Sequence, residues 1–159
     1  KHPALAVTPV NLIPCCKDCN HNKGTLGPNS SETQFLHAYY DDLTADRWLF
    51  AEIVEASPPG AVFFVSPPDQ WDDSTAARVQ RHFDELKLAR LYASQAGRQL
   101  QNIRRSLSNI LDAAGTIAVR DDLIQRSQSC AAVGVNSWDG ALYEAASQSD
   151  WYCNGGFRQ

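Results

Sequence analysis

Residues 88–115 read LARLYASQAGRQLQNIRRSLSNILDAAG and carry the most regular pattern in the chain. Nine apolar residues recur there at steps of three and four positions: Leu88, Leu91, Tyr92, Ala96, Leu100, Ile103, Leu107, Ile110 and Leu111. This spacing is typical of one apolar face along an α-helix. Gly115 follows the last apolar residues and predicts the end of that helix.

Helical patterns continue on both sides of this segment. Upstream, Asp72 or Asp73 can cap a helix that contains Val79 and Phe83. Downstream, we expect further helices over 117–132 and 137–147. The second half of the chain is therefore predicted to be mainly helical.

The residues before these helices indicate a β-hairpin. The stretches 48–56 and 61–66 are rich in aromatic and branched side chains, and Ser-Pro-Pro-Gly separates them at 57–60. A hairpin followed by helices predicts the α+β class.

Composition excludes several classes of protein. The chain has 159 residues, 43% of them hydrophobic and 20% charged, which is typical of a globular domain and not of a disordered or coiled-coil chain. It lacks an apolar run of the roughly 18 residues that a membrane span needs. We therefore expect a cytoplasmic protein that does not bind membranes. The sequence contains no methionine and begins at Lys1-His2-Pro3, so we also expect that an upstream segment is missing.

Charge is distributed unevenly along the chain. The net charge is −4. Residues 30–75 contain nine acidic side chains and one arginine, whereas residues 78–105 contain seven basic and two acidic side chains. A basic stretch on one surface can attract a phosphate backbone even in an acidic protein. A solvated helix face is the alternative explanation.

The stretch most informative about chemistry is Asn11-Leu12-Ile13-Pro14-Cys15-Cys16-Lys17-Asp18-Cys19-Asn20-His21-Asn22-Lys23-Gly24. Cys16 and Cys19 form a C-x-x-C pair that can place two thiolates on one zinc ion. A structural zinc site needs four ligands, so a redox pair or buried thiols also fit this spacing. We expect Cys130 and Cys153 to be packed thiols.

The run N-L-x-x-x-C-x-x-C-N-x-x-K-G over residues 11–24 resembles the second half of an HNH endonuclease, the ββα-metal fold. The resemblance implies that Asn11 holds the loop that orients the catalytic histidine. It implies that Asn20 helps hold a catalytic Mg²⁺ or Mn²⁺ ion, and that Lys23 is the basic residue of the motif. Cys16 and Cys19 correspond to one half of a structural Zn²⁺ site.

The sequence departs from the HNH pattern at the first histidine. The Asp-His pair and the other C-x-x-C have no counterpart in residues 1–159, so the resemblance implies that this chain alone is inactive. The remaining sequence is more loosely similar to stand-alone HNH nucleases of bacterial anti-phage defence loci, Septu-type, which work beside an ATPase. Within that likeness, His37 and Asp41 either support the metal-binding helix or cap a turn.

We therefore expect a metal-dependent DNA endonuclease, the nuclease subunit of a defence complex with an ATPase partner. The predicted organisation is a partial ββα-metal motif over 1–29, a connecting segment with the hairpin over 30–70, and a helical domain over 71–159. The expected DNA contacts are Lys17, Lys23, Arg98, Arg104 and Arg105. The alternatives are a non-catalytic, zinc-braced adaptor that docks on an ATPase or another effector, and a thiol redox protein.

Overall fold

The computed structural model describes Lys17, His21, residues 35–37 and residues 40–159. These residues divide into two compact units, which are described separately. One contains Asp69–Leu88 and the described residues up to Leu43, and the other contains Thr44–Pro68 and Ala89–Gln159.

The elements from residue 40 onward follow one another as two strands and then helices. They are β1 (Leu49–Val54), β2 (Gly60–Val65), α1 (Asp73–Glu85), α2 (Leu88–Ala131), α3 (Trp138–Gln148), α4 (Asp150–Cys153) and a final 3₁₀ helix (Gly156–Arg158). The α+β class with a hairpin and a mainly helical C-terminal region is therefore confirmed. Within the described part of the chain, no helix is long and apolar enough to cross a membrane.

The predicted hairpin is present and antiparallel. Phe50 pairs with Phe64 in the register, and their rings stack at a centroid distance of 6.0 Å on the outer face. On the other face, Leu49 and Phe63 are buried, and the ring of Phe63 meets Tyr92 of α2 edge-on. This alternation of exposed and buried side chains is the period of two expected of a strand with one covered face.

Asp72 is the residue that caps α1, one of the two predicted alternatives. Its side chain accepts a hydrogen bond from the backbone N–H of Thr75 at 2.9 Å, satisfying one of the free amides at the helix start. Val79 and Phe83 are the buried residues of this helix, as its apolar spacing predicts.

Helix α2 confirms both the apolar stripe and the predicted helix end at Gly115. Ala96, Leu100, Ile103 and Leu107 are all buried. At Gly115 the backbone has φ 79° and ψ −175°, which is not helical, so two helical segments, 88–114 and 116–131, meet at a kink. Glycine adopts this conformation without the steric penalty of a Cβ. The glycine therefore ends the first segment as predicted, and the second segment corresponds to the helix expected over 117–132.

The C-terminal helices complete the core of the second unit. Ser137 caps α3, which packs against β1. Tyr152 and Phe157 are buried, and their rings meet at a centroid distance of 5.3 Å. The core thus joins the hairpin, the long helix and the chain end.

Candidate functional site

Most of the HNH-like motif lies outside the described residues: Asn11, Cys16, Cys19, Asn20 and Lys23. Lys17 and His21 are described, and both are helical and exposed. The sequence predicts a short helix opening between Asn20 and Lys23, and His21 agrees with that prediction. Lys17 is already helical, so helical structure occurs earlier than the predicted start.

The two cysteines of the described region are free thiols. Cys153 is buried, and its Sγ donates to the carbonyl oxygens of Ala146 at 3.4 Å and Ser147 at 3.6 Å. Burial raises the pKa of the Cys153 thiol and also that of the half-buried Cys130. Both are packed thiols, as predicted. Lys17, His21, residues 35–37 and residues 40–159 contain no group of three His, Cys, Asp or Glu side chains that could hold a metal ion.

Asp41 connects the turn after His37 to helix α1. Its Oδ2 accepts a hydrogen bond from the backbone N–H of His37 at 2.6 Å. Both carboxylate oxygens also accept hydrogen bonds from the Arg78 guanidinium, at 2.8 and 2.6 Å. The paired guanidinium holds the pKa of the Asp41 carboxyl below its usual value. Asp41 therefore caps a turn, which is one of the two roles predicted for it.

The predicted arginines of α2 lie on its exposed side or at the edge of that side. Arg98 and Arg105 are exposed, and they are seven residues apart, so they share a helix face at about 10.5 Å along the axis. Arg98 donates to Oε1 of Gln95 at 2.6 Å. Arg104 is half-buried, and its guanidinium donates to the main-chain carbonyl of Arg158.

Arg158 is a basic residue next to Arg104 that sequence reasoning missed. Its guanidinium donates to the carbonyl oxygen of Ser108 at 2.9 Å and to Oδ1 of Asp112 at 2.7 Å. The contact joins residues about 50 positions apart in the sequence, and no local pattern indicates it. Folding therefore places the Arg158 guanidinium beside Arg104, where it forms an ion pair with Asp112.

The chain is similar to one curated protein, "Protein ea31" of Escherichia phage lambda. The two sequences are 31% identical over 105 residues, which cover 64% of this chain and 36% of ea31. The chain thus matches only about a third of the length of that relative. No protein-family model matches the chain, and no solved structure matches it.

Proposed function

We propose that this chain is part of a metal-dependent DNA endonuclease of the HNH type. The observation that carries the proposal is the run from Asn11 to Gly24, because it combines the motif asparagines, a C-x-x-C pair and a lysine at the spacing of that family. Lys17 and His21, the two described residues of this run, are helical and exposed. The exposed arginines of α2 support contact with a phosphate backbone.

The donors present in the motif fit the ions that the proposal requires. Two cysteine thiolates separated by two residues provide half of the four ligands of a tetrahedral zinc site, which would brace the motif. The side-chain amide of Asn20 offers an oxygen, the ligand type that Mg²⁺ and Mn²⁺ prefer. When bound, such a cation would stabilise charge on the scissile phosphate and the leaving oxygen.

The remaining motif residues would position and bind the substrate. Asn11 would hold the loop that orients a histidine acting as general base, for which a pKa near neutrality is suitable. Lys23 would contact a flanking phosphate as a point charge. The Asp-His pair that this chemistry needs has no counterpart in residues 1–159, so cleavage is proposed for the full-length protein. We place that protein in the cytoplasm, in an anti-phage complex with an ATPase.

The experiment is cleavage of supercoiled plasmid by the encoded full-length protein with Mg²⁺ or Mn²⁺. We expect nicking or cutting that Asn20→Ala abolishes almost completely, because the amide oxygen is lost as a cation ligand. Asn109→Ala is the matched control, since Asn109 is exposed on α2 and is the same residue type. If Asn20→Ala cuts DNA as the wild type does, Asn20 is not a ligand of the catalytic cation.

Metal analysis of the same protein separates the proposal from its alternatives. Bound zinc together with cleavage supports the endonuclease. Bound zinc in an intact chain that cuts no DNA under any of these conditions refutes the endonuclease and favours the adaptor. A titratable dithiol at Cys16 and Cys19 without bound metal favours the redox protein.

A further inference from the structure

The second unit contains an open groove between the turn of the hairpin and the exposed side of α2. Its volume is about 540 Å³. It is lined by Pro58 and Pro59 on the hairpin and, on the helix, by Ala93, Ser94, Gly97, Arg98, Gln101 and Asn102. The groove is shallow and open to solvent. We call this feature the proline groove.

Gly97 lies in the helical wall of the proline groove and has no packing reason to be glycine. A Cβ added there would meet no protein atom within 4 Å, and its backbone does not have a positive φ. Glycine weakens a helix interior relative to alanine. By contrast, a Cβ at Gly156 would lie 2.5 Å from the Trp151 ring. The empty space beside Gly97 is the groove itself, so the missing side chain leaves room for an occupant.

The side chains of the proline groove favour an anionic ligand with a flat apolar body. The walls of the groove are apolar or lack a side chain at Pro58, Pro59, Ala93 and Gly97. Arg98 is the one charged residue of the lining. A guanidinium has five N–H donors, so the bond from Arg98 to Gln95 leaves others available for a phosphate.

Two carboxamides add hydrogen-bonding capacity at the same place. Gln101 and Asn102 line the groove and are exposed, and each side chain can donate and accept as the edge of a nucleobase requires. Arg105 lies on the same helix face as Arg98, about 10.5 Å further along, where it can meet a second phosphate. A base paired and stacked in a duplex cannot offer its face to such a wall, whereas an unstacked base can.

We propose that the proline groove binds one nucleotide of single-stranded DNA, with its base against Pro58, Pro59 and Gly97 and its phosphate on Arg98. The choice of DNA as ligand rests on the proposed nuclease function. The groove would hold an unpaired stretch of the substrate at a site separate from the HNH-like motif.

The test is binding of the 159-residue chain to a fluorescein-labelled oligothymidine of about 12 nucleotides, measured by fluorescence anisotropy in EDTA. Gly97→Leu should weaken this binding about tenfold or more, because leucine fills the groove. Its folding is checked by circular dichroism and by comparison with Gly97→Ala, whose Cβ meets no side chain or other segment within 4 Å and should leave the melting temperature no lower than that of the wild type. Ala113→Leu, on an exposed position of the same helix, should bind like the wild type.

Arg98→Gln provides an independent readout, because Arg98 is exposed and its replacement leaves the core intact. It should weaken binding and reduce the slope of log affinity against log salt concentration by about 0.7, the value for one single-strand phosphate contact. Wild-type affinity in both Gly97→Leu and Arg98→Gln would overturn the proposal. The proposal would also be overturned if the two substitutions weakened the binding of a duplex of the same length equally. It would likewise be overturned if the wild-type chain did not bind the oligothymidine. Because EDTA prevents cleavage, these outcomes are separate from the plasmid assay that judges the nuclease.

Discussion

Replacing Asn136 should destabilise the second unit strongly, because this one side chain makes three hydrogen bonds to backbone groups at the start of β1. Its Oδ1 accepts from the N–H groups of Trp48 at 2.8 Å and Leu49 at 3.1 Å. Its Nδ2 donates to the carbonyl oxygen of Asp46 at 2.8 Å. The residue stands two positions before α3, so these bonds fasten the beginning of the hairpin to the beginning of that helix.

The magnitude follows from the number of bonds. A typical internal hydrogen bond contributes about 1 kcal/mol net, so Asn136→Ala should lower the free energy of unfolding by about 3 kcal/mol. Asn136→Asp keeps the acceptor for the two N–H groups and loses the donor to Asp46. We expect it to cost about 1–2 kcal/mol, since a carboxylate then faces a carbonyl oxygen.

Urea unfolding followed by far-UV circular dichroism measures both values. Asn109→Ala, at an exposed position of α2, is the control and should change the free energy of unfolding by no more than about 0.5 kcal/mol. A loss below about 1 kcal/mol for Asn136→Ala would show that the three bonds are not a main connection between hairpin and helix.

Two further predictions concern Asp41 and Gly156. The pKa of Asp41 in the folded protein lies below its ordinary value of 3.8 because of the bond to Arg78. This bond should therefore stabilise the fold fully above pH 3.8, and the stabilisation should be lost as the pH falls through the lowered pKa. The difference in unfolding free energy between wild type and Asp41→Asn should therefore be largest near neutral pH and shrink in acid; a difference independent of pH would contradict this assignment. Gly156→Ala should destabilise by about 1–3 kcal/mol, because its Cβ would lie 2.5 Å from the Trp151 ring. Gly134→Ala meets nothing within 4 Å and is the matched control in the same thermal unfolding measurement; equal stability of the two variants would refute the steric explanation.

Local sequence patterns were sufficient to predict most of the fold. The hairpin, a cap for α1 at Asp72 or Asp73 and the apolar stripe of α2 all follow from short-range spacing, because periodicity and end groups act within a few residues. The same reasoning located the helix end at Gly115 and the helix that follows it. It did not predict how the two helical segments are oriented at the kink, because that depends on packing between distant residues.

The candidate sites also differ in whether the sequence or the tertiary structure identifies them. The HNH-like run is a property of the sequence, and its assignment depends on residues 11–24. The sequence also located the basic side chains of α2. Of the three arginines expected on one surface, Arg98 and Arg105 are exposed, whereas Arg104 is half-buried.

The tertiary structure alone decided which distant residues meet. It joined Arg158 to Ser108 and Asn136 to Trp48, and it placed the prolines of the hairpin turn opposite Gly97. Such pairings depend on how complete elements pack, and the free energy of packing comes from contacts between residues many positions apart in the chain. The sequence by itself therefore determined the secondary structure and the motif. Folding decided the contacts of Arg158, the hydrogen bonds of Asn136 to the backbone at the start of β1, and the proline groove.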